Sequence, residues 1–89
     1  MHFAVICHDK PGHLQTRVDN RAAHLAYIEQ TGIVALAGPL IEGGQMCGSL
    51  VILDCVDRAA AEAWVAGDPY GVAGLFESVT VTEWKRVIG

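Results

Sequence analysis

Six segments, four typical of strands and two typical of helices, follow one another along this chain, and their order limits the possible folds more than any other feature. Runs rich in β-branched, aromatic and aliphatic residues, bounded by turn residues, predict four strands. These strands cover residues 2–8, 33–40, 47–56 and 75–88. Helical segments separate the first strand from the second and the third from the fourth. The order is therefore βαββαβ, and because no linker or repeat interrupts it, we expect one domain over residues 1–89.

The two predicted helices have clear starts and stops. In the first, which covers residues 13–31, apolar residues recur at intervals of three and four, the spacing of a helix face. They are Leu14, Val18, Ala22, Leu25 and Ile28. Gly32 supplies the C-terminal stop. The second helix begins at Arg58 after the N-cap residue Asp57 and ends near Ala66.

A βαββαβ domain folds with right-handed crossovers, which place both helices on one face of a four-stranded antiparallel sheet. This predicts an α+β fold of the ferredoxin-like type. The other face should carry polar residues if water covers it. The first strand instead has Phe3, Val5 and Cys7 on one side and Ala4 and Ile6 on the other. We therefore expect a homodimer in which two copies pack sheet against sheet around a two-fold axis.

The composition agrees with such a partner and argues against others. Of the 89 residues, 52% are hydrophobic and 18% are charged, although a domain this small buries only roughly 60–65% of its surface. The net charge of −4 comes without any cluster of Lys or Arg, so we expect no nucleic acid partner. No apolar stretch approaches the ~20 residues that span a bilayer, and no signal peptide is recognisable. We expect a cytoplasmic protein with no membrane partner.

The cysteines and most histidines lack the spacing of known metal or redox motifs. The cysteines are Cys7, Cys47 and Cys55, an odd number with no CxxC. We expect them to be reduced, structural and dispensable for activity. His2, His8 and His13 do not form a metal-ligand pattern such as HxxxH. The sequence therefore predicts neither a metal site nor a cofactor.

The first helix carries the most informative polar group. Arg17, Arg21 and His24 recur at intervals of four and three along a line that borders the apolar stripe, next to Ile28. A histidine in such a half-buried cleft titrates near neutral pH and can accept and return a proton. The alternative is a packed histidine whose ring nitrogens are satisfied by neighbours.

Two further segments could border the same cleft. Asp68-Pro69 is typical of the start of a helical turn, with Asp68 as N-cap, and this role leaves the other carboxylate oxygen available. Tyr70 follows directly. Ser49 lies early in the third strand, and because no GxSxG elbow surrounds it, we expect hydrogen bonding rather than nucleophilic attack.

Short motifs along the chain resemble those of the YciI family. They are Asp9-Lys10-Pro11-Gly12, Arg21-x-x-His24-x-x-Tyr27, Ala37-Gly38-Pro39-Leu40, Gly48-Ser49-Leu50, Asp68-Pro69-Tyr70 and Ala73-Gly74-Leu75-Phe76. The resemblance runs from residue 1 to about residue 88. It implies a dimeric α+β barrel, as in muconolactone isomerases and small monooxygenases, with a His and Asp pair at His24 and Asp68. One characterised branch of the family eliminates chloride from a chlorinated hydroquinone.

These features together predict a cofactor-independent lyase or isomerase. His24 moves a proton on a small cyclic or aromatic anion, and Asp68 orients the imidazole. The predicted substrate-binding residues are Arg17, Arg21, Ser49 and Tyr70. The main alternative is a non-catalytic module that binds a small ligand or serves as an accessory domain. A third is an oxygenase on the same fold that works without a cofactor.

Overall fold

A computed structural model describes all residues from 1 to 89 and has the predicted order of elements. The strands are β1 (His2–Asp9), β2 (Val34–Glu42), β3 (Gln45–Asp54) and β4 (Phe76–Trp84). The helices are α1 (Leu14–Thr31), α2 (Arg58–Gly67) and the short α3 (Pro69–Val72). The sheet order is β2-β3-β1-β4 with every neighbouring pair antiparallel. This confirms the ferredoxin-like α+β fold.

Strands β2, β3 and β4 have boundaries that differ from the prediction by two residues or more, and two structural reasons explain most of the difference. β2 extends to Glu42 and β3 begins at Gln45, because the turn Gly43–Gly44 joins them with φ values of 57° and 77°. A two-residue turn with positive φ at both positions lets strands pair up to the turn itself. β4 ends earlier than predicted because Trp84 already pairs with His2, the first residue of β1.

The apolar core lies between the sheet and α2. It consists of Phe3, Val5, Cys7, Val51, Leu53, Ala61 and Trp64. Two hydrogen bonds tie α1 to this core. The Tyr27 hydroxyl donates to the Trp64 carbonyl oxygen at 2.7 Å, and the Trp64 indole N–H donates to the Thr31 hydroxyl at 2.9 Å. Tyr27 is thus a packing residue, and α1 is held in a fixed position over β2 and β3.

The orientation of α1 differs from the prediction. Leu14, Val18 and Leu25 from the predicted buried stripe are 41%, 50% and 53% exposed, whereas Arg17 and His24 are 3% and 6% exposed. Burial of charged groups is tolerated only when partners satisfy them. Both residues have carboxylate partners from other elements, so α1 buries these two polar side chains, while Tyr27 and Ile28 pack against the core.

The sheet face opposite the helices is apolar in β1 and β3, as predicted, whereas β4 contributes Ser78, Thr80 and Thr82 to it. Ile6, Leu36 and Leu50 lie on it with 37%, 57% and 39% of their surface exposed. We call this surface, together with Ala4 and the buried Ile52, the open sheet face. None of the helices is long and apolar enough to cross a membrane.

Candidate active site

His24 and Asp68 form a buried hydrogen-bonded pair, although 44 positions separate them in the sequence. His24 lies on the inward side of α1, and Asp68 lies at the junction of α2 and α3. The His24 Nδ1 is 2.7 Å from the Asp68 Oδ1, and the side chains are 8% and 4% exposed. Because a carboxylate accepts, the hydrogen bond assigns the proton to Nδ1 and leaves Nε2 with a lone pair in the neutral ring.

Asp68 is itself held in place by its helix-capping role. Its Oδ1 also accepts a hydrogen bond from the Tyr70 backbone N–H at 3.0 Å, and Pro69 occupies the first position of α3. The cap was predicted, together with a second role through the other carboxylate oxygen; in the structure the second hydrogen bond, to His24, uses the capping oxygen itself. One oxygen accepts both hydrogen bonds, so the cap fixes the same atom that orients His24.

A pocket of about 220 Å³ lies between α1 and strands β2 and β3. Among the predicted site residues, Asp68 alone does not line it, because Asp68 stands behind His24. No hydrogen bond within the chain uses the His24 Nε2, and no buried side-chain nitrogen or oxygen lacks a partner. It follows that Nε2 is accessible from the pocket. The volume is below the ~300–1,000 Å³ typical of drug-sized ligands and suits a single small ring.

Tyr70 forms one wall of the pocket and packs against the two buried polar side chains of α1, Arg17 and His24. Its ring stacks on the His24 imidazole, with centroids 4.0 Å apart and planes 16° apart. The Arg17 Cζ lies 4.7 Å from the same ring centroid. Burial raises the pKa of the Tyr70 hydroxyl, and the Arg17 and Arg21 charges only partly offset that rise. The phenol is therefore protonated at neutral pH and can donate a hydrogen bond.

Arg17 reaches the pocket, but its charge is already paired. Its Nε donates to the Asp9 Oδ2 at 2.7 Å, and its Nη2 donates to the Asp9 Oδ1 at 2.8 Å and to the Ser49 Oγ at 2.9 Å. Burial tends to lower the pKa of the Arg17 guanidinium, but the hydrogen bonds and charge of Asp9 outweigh that tendency and raise it. Arg17 therefore makes three hydrogen bonds within the chain, and Ser49 accepts one of them.

Asp9 is the site residue that sequence analysis missed. Its side chain is 7% exposed, whereas the sequence analysis named it only as part of the Asp9-Lys10-Pro11-Gly12 motif after the first predicted strand. The signal that could have identified it is Arg17, because an arginine on the cleft side of a helix needs a carboxylate partner. Asp9, at the end of β1, is the nearest acidic residue before α1.

Arg21 differs from Arg17 in that it is exposed and makes no hydrogen bond or ion pair with the rest of the chain. It lines the pocket. A guanidinium with free donors recognises carboxylates and other planar anions through paired hydrogen bonds. Arg21 is thus the cationic group that the structure leaves available to a ligand.

The three cysteines are free thiols. Cys7 is fully buried behind the site, and burial together with the Asp68 charge raises its pKa to about 12, so its thiol remains protonated. Cys47 and Cys55 are half-buried. No group of three or more His, Cys, Asp or Glu side chains comes together in a way that could hold a metal ion.

Comparisons with known proteins agree with this fold and these motifs. The profile of the YCII-related domain matches residues 1–85. Protein YciI of Escherichia coli O6:H1 is 33% identical, and a Haemophilus influenzae protein described as uncharacterized is 31% identical. Both alignments cover 98% of this chain and 99% of the relative.

Solved structures give the same result. The 5-chloro-2-hydroxyhydroquinone dehydrochlorinase TftG of Burkholderia phenoliruptrix, in complex with 2,5-dihydroxybenzoquinone, is 37% identical with a TM-score of 0.90 over 96% of this chain and 94% of that chain. An antibiotic biosynthesis monooxygenase, 11% identical with a TM-score of 0.57 over 96% of this chain and 98% of that chain, shares the fold alone. The resemblance inferred from the motifs is therefore confirmed, and this chain belongs to the family of the YCII-related domain.

Proposed function

We propose that this protein is a cofactor-independent enzyme of the lyase or isomerase type that transfers a proton on a small cyclic or aromatic anion. The observation that carries the proposal is the buried 2.7 Å hydrogen bond between His24 and Asp68 beside a ring-sized pocket. The accessible Nε2 is the atom that meets the substrate. A base oriented by a buried carboxylate in this way is a recurring arrangement for proton transfer.

The chemical step follows from the surroundings of the two ring nitrogens. Nε2 accepts a proton from a substrate carbon or hydroxyl, and the resulting imidazolium is stabilised by Asp68 at Nδ1. The Tyr70 ring stacked at 4.0 Å adds a favourable cation–π contact. In an isomerase, the imidazolium returns the proton to another atom of the substrate. In a lyase, the electron pair left on the substrate forms a new double bond and expels a leaving group.

The charge and size of the pocket define the substrate class. Arg21 offers a free guanidinium to a carboxylate or phenolate, and the Tyr70 hydroxyl offers a hydrogen bond. Half of the twelve lining residues are hydrophobic, which suits the faces of an apolar ring. A small phenol, quinone or unsaturated lactone with one acidic group fits these constraints.

Dehydrochlorination, the reaction named for TftG, fits the same groups. When a base takes a hydroxyl proton from a chlorinated hydroquinone, the electron pair moves into the ring and the carbon that bears chlorine takes up a proton. Loss of a second hydroxyl proton then forms the quinone, and chloride departs with the electrons of the C–Cl bond. Hydrogen chloride is the only other product, so no oxidant or reductant is needed. Because TftG is 37% identical to this chain, 5-chloro-2-hydroxyhydroquinone is the first compound to test.

The proposed functional unit is a homodimer formed through the open sheet face. Ile6, Leu36 and Leu50 keep more than a third of their surface exposed on that face. A contiguous apolar patch on a small domain marks an interaction surface. A second copy of the same face would cover it with side chains of the same apolar character in a two-fold arrangement.

Chloride release from 5-chloro-2-hydroxyhydroquinone, followed together with the ring absorbance, tests the reaction. We expect His24→Ala and Asp68→Asn each to lower turnover by about 10²-fold or more, since each removes part of one acid–base unit. The double variant should be little worse than the worse single variant.

Matched controls keep that test specific. His13→Ala removes a histidine outside the pocket, and Asp19→Asn removes a carboxylate on the solvent side of α1. Both should retain wild-type turnover. If the wild type binds the substrate but His24→Ala is equally active, or if no turnover occurs at all, the non-catalytic binding module is the better account.

A further inference from the structure

Asp9 and Arg17 form a buried ion pair beside the pocket that the proposed proton transfer does not use directly. Two hydrogen bonds of 2.7 and 2.8 Å, one to each carboxylate oxygen, join them, and the side chains are 7% and 3% exposed. Two-point geometry of this kind fixes the plane of a guanidinium. The Ser49 Oγ accepts a third hydrogen bond from it at 2.9 Å, so Arg17 is anchored to β1 and to β3.

The anchored guanidinium lies against the aromatic ring that packs on the base. Arg17 and His24 are seven residues apart, which is close to two helical turns, so they lie along one side of α1. Tyr70, presented by α3, contacts both, with the Arg17 Cζ at 4.7 Å from its centroid and the His24 ring at 4.0 Å. A continuous series of contacts therefore leads from Asp9 through Arg17 and Tyr70 to His24.

The same contacts argue against Arg17 as the ligand for the substrate's negative charge. Asp9 already neutralises it within a buried pair, whereas Arg21, one turn further along α1, is exposed and unpaired. A second anion at Arg17 would have to compete with a carboxylate held at two points. The two arginines thus have different tasks.

We infer that Asp9 is a positioning residue of this site, which acts through Arg17 to hold the Tyr70 ring against the His24 imidazole and so fixes the direction of Nε2. The inference rests on the proposed function, because the direction of Nε2 matters to catalysis only when His24 is the base. Asp68 fixes the ring at Nδ1, and Tyr70 fixes its plane. Neither restraint alone fixes both the position of Nδ1 and the plane of the ring.

Proton NMR of the His24 ring tests the positioning itself, without any substrate. Protons stacked over an aromatic face resonate upfield, so His24 ring protons should lie upfield of those of His13, which has no aromatic ring stacked on it. The variant Tyr70→Leu lacks the aromatic ring, so the upfield shift of the His24 protons that it loses measures the contribution of the Tyr70 ring. Nitrogen-15 chemical shifts of the ring report whether His24 is protonated. The wild type and the variants are then compared at a pH at which His24 is in the same protonation state in each.

The decisive variant replaces both members of the ion pair, Asp9→Asn with Arg17→Gln, so that no uncompensated charge is buried. We expect it to lose more than half of the upfield shift that Tyr70→Leu removes, while Asp19→Asn keeps the wild-type shift. If the double variant does not fold, Arg17→Lys retains the charge but not the planar group over Tyr70, and it should lose part of the shift. If the variant that folds, whether the double variant or Arg17→Lys, shows the same His24 resonances as the wild type, the inference is overturned.

Kinetics separate this inference from the proposed function. If the wild type is active, the double variant should lower kcat by about ten- to a hundredfold, because small displacements of a catalytic group are costly. Its affinity for 2,5-dihydroxybenzoquinone should fall less than that of Arg21→Gln. An inactive wild type would refute the proposed function, and the His24 ring shifts would still decide whether Asp9 positions the ring.

Discussion

At His24 the two ring nitrogens have opposite surroundings, and this asymmetry is what a general base requires. Nδ1 is sealed against Asp68, whereas Nε2 is accessible from the pocket. Neither property is visible in the sequence, which predicts only that His24 and Asp68 can approach each other across two helical connections. The hydrogen bond from the Tyr70 backbone N–H to Asp68 explains how the carboxylate is held towards His24, because the turn that forms α3 also fixes the orientation of the Asp68 side chain.

Arg21 supplies a residue-scale prediction about substrate binding. Replacing it with Gln removes the unpaired guanidinium of the pocket, so we expect KM for an anionic substrate to rise about tenfold or more while kcat changes less. Arg86→Gln, in the exposed segment after β4, is the control and should change neither constant. Steady-state kinetics on both variants provide the measurement. A rise in KM of equal size in the two variants would contradict a specific role for Arg21.

Cys7 supplies a prediction about stability at alkaline pH. Burial raises the pKa of its thiol from 9.0 to about 12, so between these values the unfolded chain releases a proton that the folded protein keeps. The stabilisation is fully present below pH 9.0 and is lost as pH rises towards about 12. The free energy of unfolding should therefore fall with pH more steeply in the wild type than in Cys7→Ala, by up to about 1.4 kcal/mol per pH unit.

Urea unfolding at several pH values between 8 and 11 measures these slopes. Cys47→Ala is the matched control, since Cys47 is half-buried and on the same sheet. It should show the wild-type slope. If the free energy of unfolding falls with pH at the same rate in the wild type and in Cys7→Ala, the thiol does not resist ionisation in the folded protein.

At the scale of elements, the sequence predicted strands better than it predicted the orientation of a helix. Strand identity is local, because β-branched runs and turn residues specify it. The side of α1 that faces the sheet is decided by partners from elsewhere. Asp9 and Asp68 make it favourable to bury Arg17 and His24, so Leu14 and Val18 remain exposed. The spacing of apolar residues along the helix cannot reveal partners that come from other elements.

The pairing of β1 with β3 depends on the absence of a side chain at Gly48. A Cβ there would overlap the backbone carbonyl oxygen of Cys7, and a backbone atom of a paired strand cannot move aside cheaply. We expect Gly48→Ala to lower the free energy of unfolding by about 1–3 kcal/mol, as overpacking usually does. Because Ser49 is adjacent, the substitution should also weaken the contact between Ser49 and Arg17.

Gly38 on β2 offers a control of the same chemistry. A Cβ at Gly38 meets no atom within 4 Å, so Gly38→Ala should leave stability almost unchanged. Urea denaturation of both variants against the wild type makes the comparison. Equal destabilisation by the two substitutions would show that chain flexibility, rather than close approach of β1, explains the loss at Gly48.

At the scale of the whole molecule, the open sheet face accounts for the high apolar content of so small a chain. Light scattering should give about twice the 9.5 kDa chain mass. Leu50→Asp places a charge at the centre of the proposed interface and should shift the protein to monomer. Val56→Asp, at a residue 79% exposed outside the sheet, should not. A wild type that is monomeric at micromolar concentration would refute the sheet-to-sheet dimer.

Hydrogen–deuterium exchange on a bound quinone shows whether the His24 and Asp68 pair moves protons to and from a substrate. Each ring C–H of 2,5-dihydroxybenzoquinone adjoins an acidic enol and exchanges through protonation at carbon. Its loss in D₂O can be followed by proton NMR against the rate without protein. We expect exchange well above background with the wild type and with His13→Ala, and exchange near background with His24→Ala. Exchange of equal rate with the wild type and with His24→Ala, or none with a wild type that binds the quinone, would contradict it.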